Sequence, residues 1–249
     1  MPTSGVTLRR LYPIVRNGWQ ADIALDGLYA EGQMSGSHDT IIAQTAKAAL
    51  APLGFRRKGR SRTWLADHGW WLTVIEFQPS AWSKGSYLNV ATHWLWSDMG
   101  SLSFDFGGRV TEFVEYVSDA QFAPAIARLA ENASHEAQRL AQMYSSLSGT
   151  ARVLLHEART SPAQTPGHPG WMAYHAGVAA GLVGRAEDAG EMFGLILSSA
   201  ASAGSVLHSA TERMAQLASA PMELRREVIS LIERQRDALR LRPLEASPF

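Results

Sequence analysis

Four polar side chains set into two apolar runs are the residues best suited to chemistry. In Trp70–Gln78 every second position holds Trp70, Leu72, Val74, Glu76 and Gln78; in Tyr87–Trp96 it holds Tyr87, Asn89, Ala91, His93 and Leu95. Strand alternation puts each set on one face. If the two runs are neighbours, Glu76, Gln78, Asn89 and His93 converge, with Asp105 of the following run within reach. A carboxylate that holds the tautomer of an imidazole is an acid–base pair, as a hydrolase would use. The same residues also make a polar layer in an aromatic-walled ligand pocket. A third reading is a satisfied core network, because buried polar groups must be paired. Residue types alone leave these three open.

Other groups can bind rather than react. Arg56, Arg57, Lys58, Arg60 and Arg62 place five cations within seven residues, beside Trp64. Guanidinium forks next to an aromatic face suit phosphates or single-stranded nucleic acid. Charges on an edge hairpin also block edge-to-edge pairing, and this reading is preferred, since nucleic-acid binding recruits more basic surface. Trp82 lies in a polar loop beside Ser83 and Lys84 and is the tryptophan expected to be exposed, hence the leading interaction candidate. Trp64, Trp70, Trp71, Trp94 and Trp96 are expected to be core. No metal or cofactor is expected. His38/Asp39 and His168/His175 have the wrong spacing for a metal, no glycine loop with a lysine cradles a phosphate, and no elbow motif surrounds Ser80 or Ser83.

These residues need elements to hold them. Ser37 can cap a helix over about 39–51, with Ile42, Ala46, Ala49 and Leu53 as its apolar stripe and Gly54 as its exit. Strand-like runs follow at 55–58, 62–66, 70–78 and 87–96, with turns at Asp67-His68-Gly69 and Asp98-Met99-Gly100. Leu102, Phe104 and Phe106 alternate with Ser103 and Asp105, which predicts a last strand over 102–106. Short polar turns predict an antiparallel meander. A long helix over about 120–145 then covers one face. Beyond 148 the chain reads as about five helices, interrupted by the proline- and glycine-rich stretch 160–170. Pro221 opens the last of them at its first position.

Composition agrees. Six of eight tryptophans fall between 64 and 96, whereas Ala, Leu, Arg and Glu dominate beyond 120. Aromatic residues favour strands and the latter set favours helices. The 249 residues carry 23 basic and 23 acidic side chains, which leaves no global field to hold nucleic acid or an anionic membrane. No run of apolar residues is long enough to span a membrane, and cysteine is absent, which excludes disulfides and thiolate chemistry. The excess of Arg over Lys is the bias of a GC-rich bacterial genome. Residues 1–33 show no sustained period; either translation begins naturally at Met34 or these residues form a loosely ordered arm.

Several spaced motifs resemble one bacterial family. Leu50-Ala51-Pro52-Leu53-Gly54-Phe55-Arg56-Arg57-Lys58-Gly59, Thr63-Trp64, Glu76-Phe77-Gln78-Pro79-Ser80 and Tyr87-Leu88-Asn89-Val90 are similar to the domain of unknown function 4304, as is Leu102–Val110, which contains Arg109. The resemblance covers about residues 38–145 and implies a small α+β domain with no assigned activity. Pro79 departs from the basic residue often found there. Gly177, Ala180, Gly184, Ala189 and Phe193 resemble the spacing of a tetratricopeptide hairpin, in which small residues let two helices approach closely.

Together these features predict an α+β protein, with an antiparallel sheet packed by helices and an all-α C-terminal region. The expected division is an arm at 1–36, a sheet domain at 37–147 and a helical bundle at 148–249. The preferred role is a cytoplasmic, non-enzymatic binding protein for an unknown protein or small ligand, with Gln78, Asn89, Trp82, Arg56, Arg57 and Arg109 as binding residues. The alternatives are a hydrolase using Glu76 and His93, and a weak nucleic-acid binder using the 56–62 run.

Overall fold

The computed structural model describes residues 36–97, 99–160, 168–200 and 202–249. Residues 1–35 lie outside them, and so does the question of an arm or a start at Met34.

The first helix, α1 (Ser37–Leu50), buries Ile42, Ala46 and Leu50, one turn apart. Gly36, not Ser37, occupies its N-cap, because the Ser37 hydroxyl donates to the Asp119 carboxylate at 2.6 and 2.7 Å. A short 3-10 turn and Gly54 in the left-handed conformation lead into five strands. These are β1 (Arg56–Arg57), β2 (Thr63–Asp67), β3 (Trp71–Gln78), β4 (Gly85–Trp94) and β5 (Phe106–Glu115), paired antiparallel in chain order. The last differs from expectation. Residues 102–105 are not a strand: Ser103 and Asp105 turn inward to hydrogen-bond with His93 and the Trp94 backbone. Phe106 instead opens a ten-residue strand that starts on a glycine pair.

Helix α2 (Asp119–Met143) crosses the face carrying Trp71, Ile75, Phe77, Leu88, Val90 and Trp94. Its buried residues Phe122, Ile126, Leu129, Ala133, Ala137 and Leu140 recur every three or four positions. Tyr144 closes this helix with its ring edge-on to Trp71 at 5.6 Å and Trp94 at 4.9 Å. Trp70, Trp94 and Trp96 lie in nearly parallel planes with centroids 5.3–5.7 Å apart.

The helical half comprises α3 (Leu147–Thr160), α4 (His168–Leu182), α5 (Ala186–Leu197), α6 (Val206–Leu217) and α7 (Pro221–Ala238). Every residue of α4 from 172 to 182 is buried, which makes it the central helix, flanked by the other four. α7 packs against the 95–97 turn at the end of β4, so one hydrophobic core runs unbroken from sheet to helices.

Small residues set the α4–α5 distance. A Cβ on Gly177 would fall 2.5 Å from the Phe193 ring, inside any permitted contact. Gly177→Ala adds about 1 kcal/mol of helix propensity but overpacks a buried ring at a cost of about 1–3 kcal/mol. The expected net loss is about 1 kcal/mol, read as a fall in Tm of roughly 2–4 °C; a rise in Tm would mean that the ring yields freely.

Candidate functional site

Strand register assembles the first polar group. Thr63, Glu76, Asn89 and Arg109 are successive cross-strand partners on β2, β3, β4 and β5, on the face opposite Trp71 and Trp94. Asn89, buried at the centre, donates through Nδ2 to Glu76 Oε2 and to Gln78 Oε1, both at 2.9 Å. Arg109 donates to the same Gln78 oxygen at 2.8 Å, and its guanidinium lies 3.8 Å over the Tyr87 ring. Arg109 reaches that position because β5 carries an extra residue at Val110, which re-aims its neighbour. Burial raises the Glu76 carboxyl above its ordinary pKa, while the Asn89 hydrogen bond and the Arg109 charge oppose that rise. Four of the expected site residues, Glu76, Gln78, Asn89 and Arg109, are therefore brought together.

His93 is not among them. It shares their face but is level with Leu72, four residues along β4 from Asn89, or roughly 13 Å at the strand rise. The expected Glu76–His93 pair does not form, because a common face says nothing about position along the strand. Asp105 is the carboxylate that meets His93, with Oδ2 at 3.4 Å from Nδ1. Ser103 Oγ lies 2.8 Å from that nitrogen and donates to Asp105 Oδ1 at 2.7 Å, while Trp94 N–H donates to Oδ2 at 2.7 Å. On the other side of the ring, Gln235 of α7 places Nε2 3.1 Å from His93 Nε2. The Gln235 amide is oriented by the backbone, accepting from Gly100 N–H at 2.8 Å and donating to Ser101 C=O at 3.0 Å. His93 thus has both ring nitrogens engaged, Nε2 by the Gln235 amide and Nδ1 by Ser103, whose backbone N–H also donates to Nδ1 at 3.3 Å. From α4, His175 accepts the Trp96 indole N–H at 3.1 Å and brings Nε2 to 3.9 Å from Asp105.

Serine, histidine and aspartate in contact invite comparison with a nucleophilic triad. That mechanism needs serine and carboxylate on opposite ring nitrogens. Here both crowd Nδ1, Gln235 occupies Nε2, and the ring is fully buried. The cluster is a clamp that ties β4 and the 99–105 segment to α4 and α7. Burial opposes ionisation of Asp105, but the His93 hydrogen bond, the His175 and His93 charges and the Trp94 N–H outweigh it and hold the carboxyl at about 2. A second tie lies nearby: Arg236, also buried, donates to both Asp67 carboxylate oxygens at 2.9 and 2.7 Å and to Gly69 C=O at 2.9 Å. Neither His175, Gln235 nor Arg236 carries any signal of this role in the sequence.

The basic run is dispersed. Arg57 folds back onto its own hairpin, donating to Ser61 C=O at 2.6 Å and Arg60 C=O at 2.8 Å, while Arg56 is exposed on the edge strand. Arg62 turns the other way, to Asp39 at 2.7 Å and Gly85 C=O at 2.9 Å. There it lines a cleft of about 290 Å³ with His38, Ser80, Trp82, Ser83 and Lys84, between the start of α1 and the 79–85 loop. Trp82 is 96% exposed, whereas Trp64, Trp70, Trp71, Trp94 and Trp96 are at most 7% exposed.

No family model, curated protein or solved structure matches the chain. Among the described residues no group of three His, Asp or Glu is placed to hold a metal, and no helix is long and apolar enough to cross a membrane.

Proposed function

We propose that this is a cytoplasmic, non-enzymatic binding protein that recognises its ligand at the β3–β4 hairpin end of the sheet. The observation that carries this reading is Trp82, an indole left almost wholly in water at the mouth of a cleft. Leaving so large a ring unburied forgoes about 2–3 kcal/mol of hydrophobic stabilisation, and tryptophan is the residue most often found at binding hot spots. The adjoining platform of Tyr87, Arg109, Gln78 and Asn89 offers donors, acceptors and a ring without an activated nucleophile. A hydrolase reading has lost its Glu76–His93 pair, and a nucleic-acid reading has lost a common basic face.

The test is a panel of soluble metabolites screened by ligand-observed NMR against the wild-type protein and Trp82→Ala. At least one compound should bind the wild type, bind the variant at least fivefold more weakly, and be recovered unchanged. Tm should stay within about 1 °C, as expected for an exposed side chain. A bound compound that is consumed, or that binds the variant equally well, overturns the proposal.

A further inference from the structure

We propose that the cleft beside Trp82 receives the phosphate of a mononucleotide, whose base stacks on the exposed indole. This rests on reading the Trp82 loop as a recognition surface and adds the ligand class. The cleft holds two permanent cations. The Lys84 ammonium is exposed on the loop and has no ion pair among the described residues. Arg62 is preorganised, its guanidinium pinned by Asp39 and the Gly85 carbonyl at the floor. His38 completes the group. Its pKa is lowered, first by burial and then by the charges of Arg62 and Lys84, against the opposing pull of Asp39, so both cations are within electrostatic reach of the ring. The Tyr116 ring lies behind it, 5.4 Å away. Among the described residues lining the cleft none is acidic; Asp39 pairs with Arg62, and Asp119 is occupied by the Ser37 and Tyr116 hydroxyls. With Arg62 balanced by Asp39, Lys84 leaves the described lining net positive, and the Ser83 hydroxyl adds a donor suited to phosphate oxygens.

Size selects the ligand. At about 290 Å³ the cleft is at the lower limit of ligand pockets and takes a phosphate with part of a sugar. A base would then project to the rim, where Trp82 stands. Every base has a π-face that stacks on an aromatic ring, so ring and cations can act on the two ends of one molecule. A longer strand is disfavoured, because Arg57 folds back onto its own hairpin and the chain has no net charge.

The experiment uses the full-length protein, following the His38 ring and Trp82 indole NMR signals on titration with inorganic phosphate, ribose 5-phosphate, adenosine and adenosine 5′-monophosphate. The mononucleotide should shift both signals and bind at least tenfold more tightly than inorganic phosphate or adenosine. Lys84→Ala should weaken it at least fivefold at unchanged Tm. Trp82→Ala should reduce it to the affinity of ribose 5-phosphate. A mononucleotide that leaves the His38 signal unmoved, or that binds Lys84→Ala as tightly as wild type, overturns the inference. If other compounds still shift the Trp82 indole, the recognition surface stands and only the ligand class falls; if every bound compound ignores Trp82→Ala, both fall.

Discussion

Asp105→Asn is expected to lower the unfolding free energy by about 3 kcal/mol, the lower range for breaking a buried charge pair, and Tm by roughly 6–12 °C for a chain of this size. The carboxylate accepts from the Trp94 backbone and from the Ser103 hydroxyl while facing two imidazoles. An asparagine keeps one acceptor oxygen and turns an NH2 on the other donor, so one buried group is left unmet. Acidity supplies the cleaner test. The folded pKa of about 2 lies below the ordinary 3.8, so the contribution is fully present above about pH 4 and is lost as pH falls through about 2. At about 1.4 kcal/mol per unit this amounts to about 2 kcal/mol. Chemical denaturation between pH 5 and pH 2 should show the wild type losing that much more than the variant. Parallel curves would show that the Asp105 charge does not hold the clamp.

Gly107→Ala is expected to cost about 3 kcal/mol. Two effects add. The residue has φ +102°, where a side chain brings strain of about 1–3 kcal/mol. Its Cβ would also lie 2.5 Å from the Val90 carbonyl oxygen and 2.9 Å from Ala91 Cα. These are backbone atoms that cannot rotate aside, so β5 must separate from β4 at a further cost of about 1–3 kcal/mol. Reduced freedom of the unfolded chain returns at most about 1 kcal/mol. Arg109, two residues on, should lose its 2.8 Å bond to Gln78 and its place over Tyr87. Faster amide exchange along β4 and β5 would report the separation. Gly108→Ala is the control: its φ of +150° is also positive, but its Cβ meets nothing within 4 Å. A Gly107→Ala loss no greater than that of Gly108→Ala would mean that close approach to β4 is not the cause.

How much of this was legible in advance differs from element to element. The hairpin of β3 and β4 was readable because alternation is local, and the short 79–84 loop leaves little freedom of register; Glu76, Gln78 and Asn89 were therefore placed together correctly. The exposure of Trp82 followed from its polar neighbours. β5 is hidden from the pattern because Gly107 and Gly108 interrupt the apolar alternation where the strand begins, whereas Leu102, Phe104 and Phe106 imitate a strand that the inward turn of Ser103 and Asp105 forbids. Alternation gives His93 its face but not its partner, which is Asp105 and not Glu76.

Patterning by itself determined which face the side chains of β3 and β4 occupy, because burial of apolar area needs only the correct period and tolerates displacement along the element. It thereby settled the α+β class, the order of strands and helices and the isolation of one tryptophan from the core. Which polar groups touch was decided by tertiary packing alone. A hydrogen bond forms only over a short, directional contact, and the His93 clamp draws its members from β4, the 99–105 segment, α4 and α7, up to 142 residues apart along the chain. No local period spans such a separation. The meeting of His175, Gln235 and Asp105 exists only once the helical half has docked on the sheet.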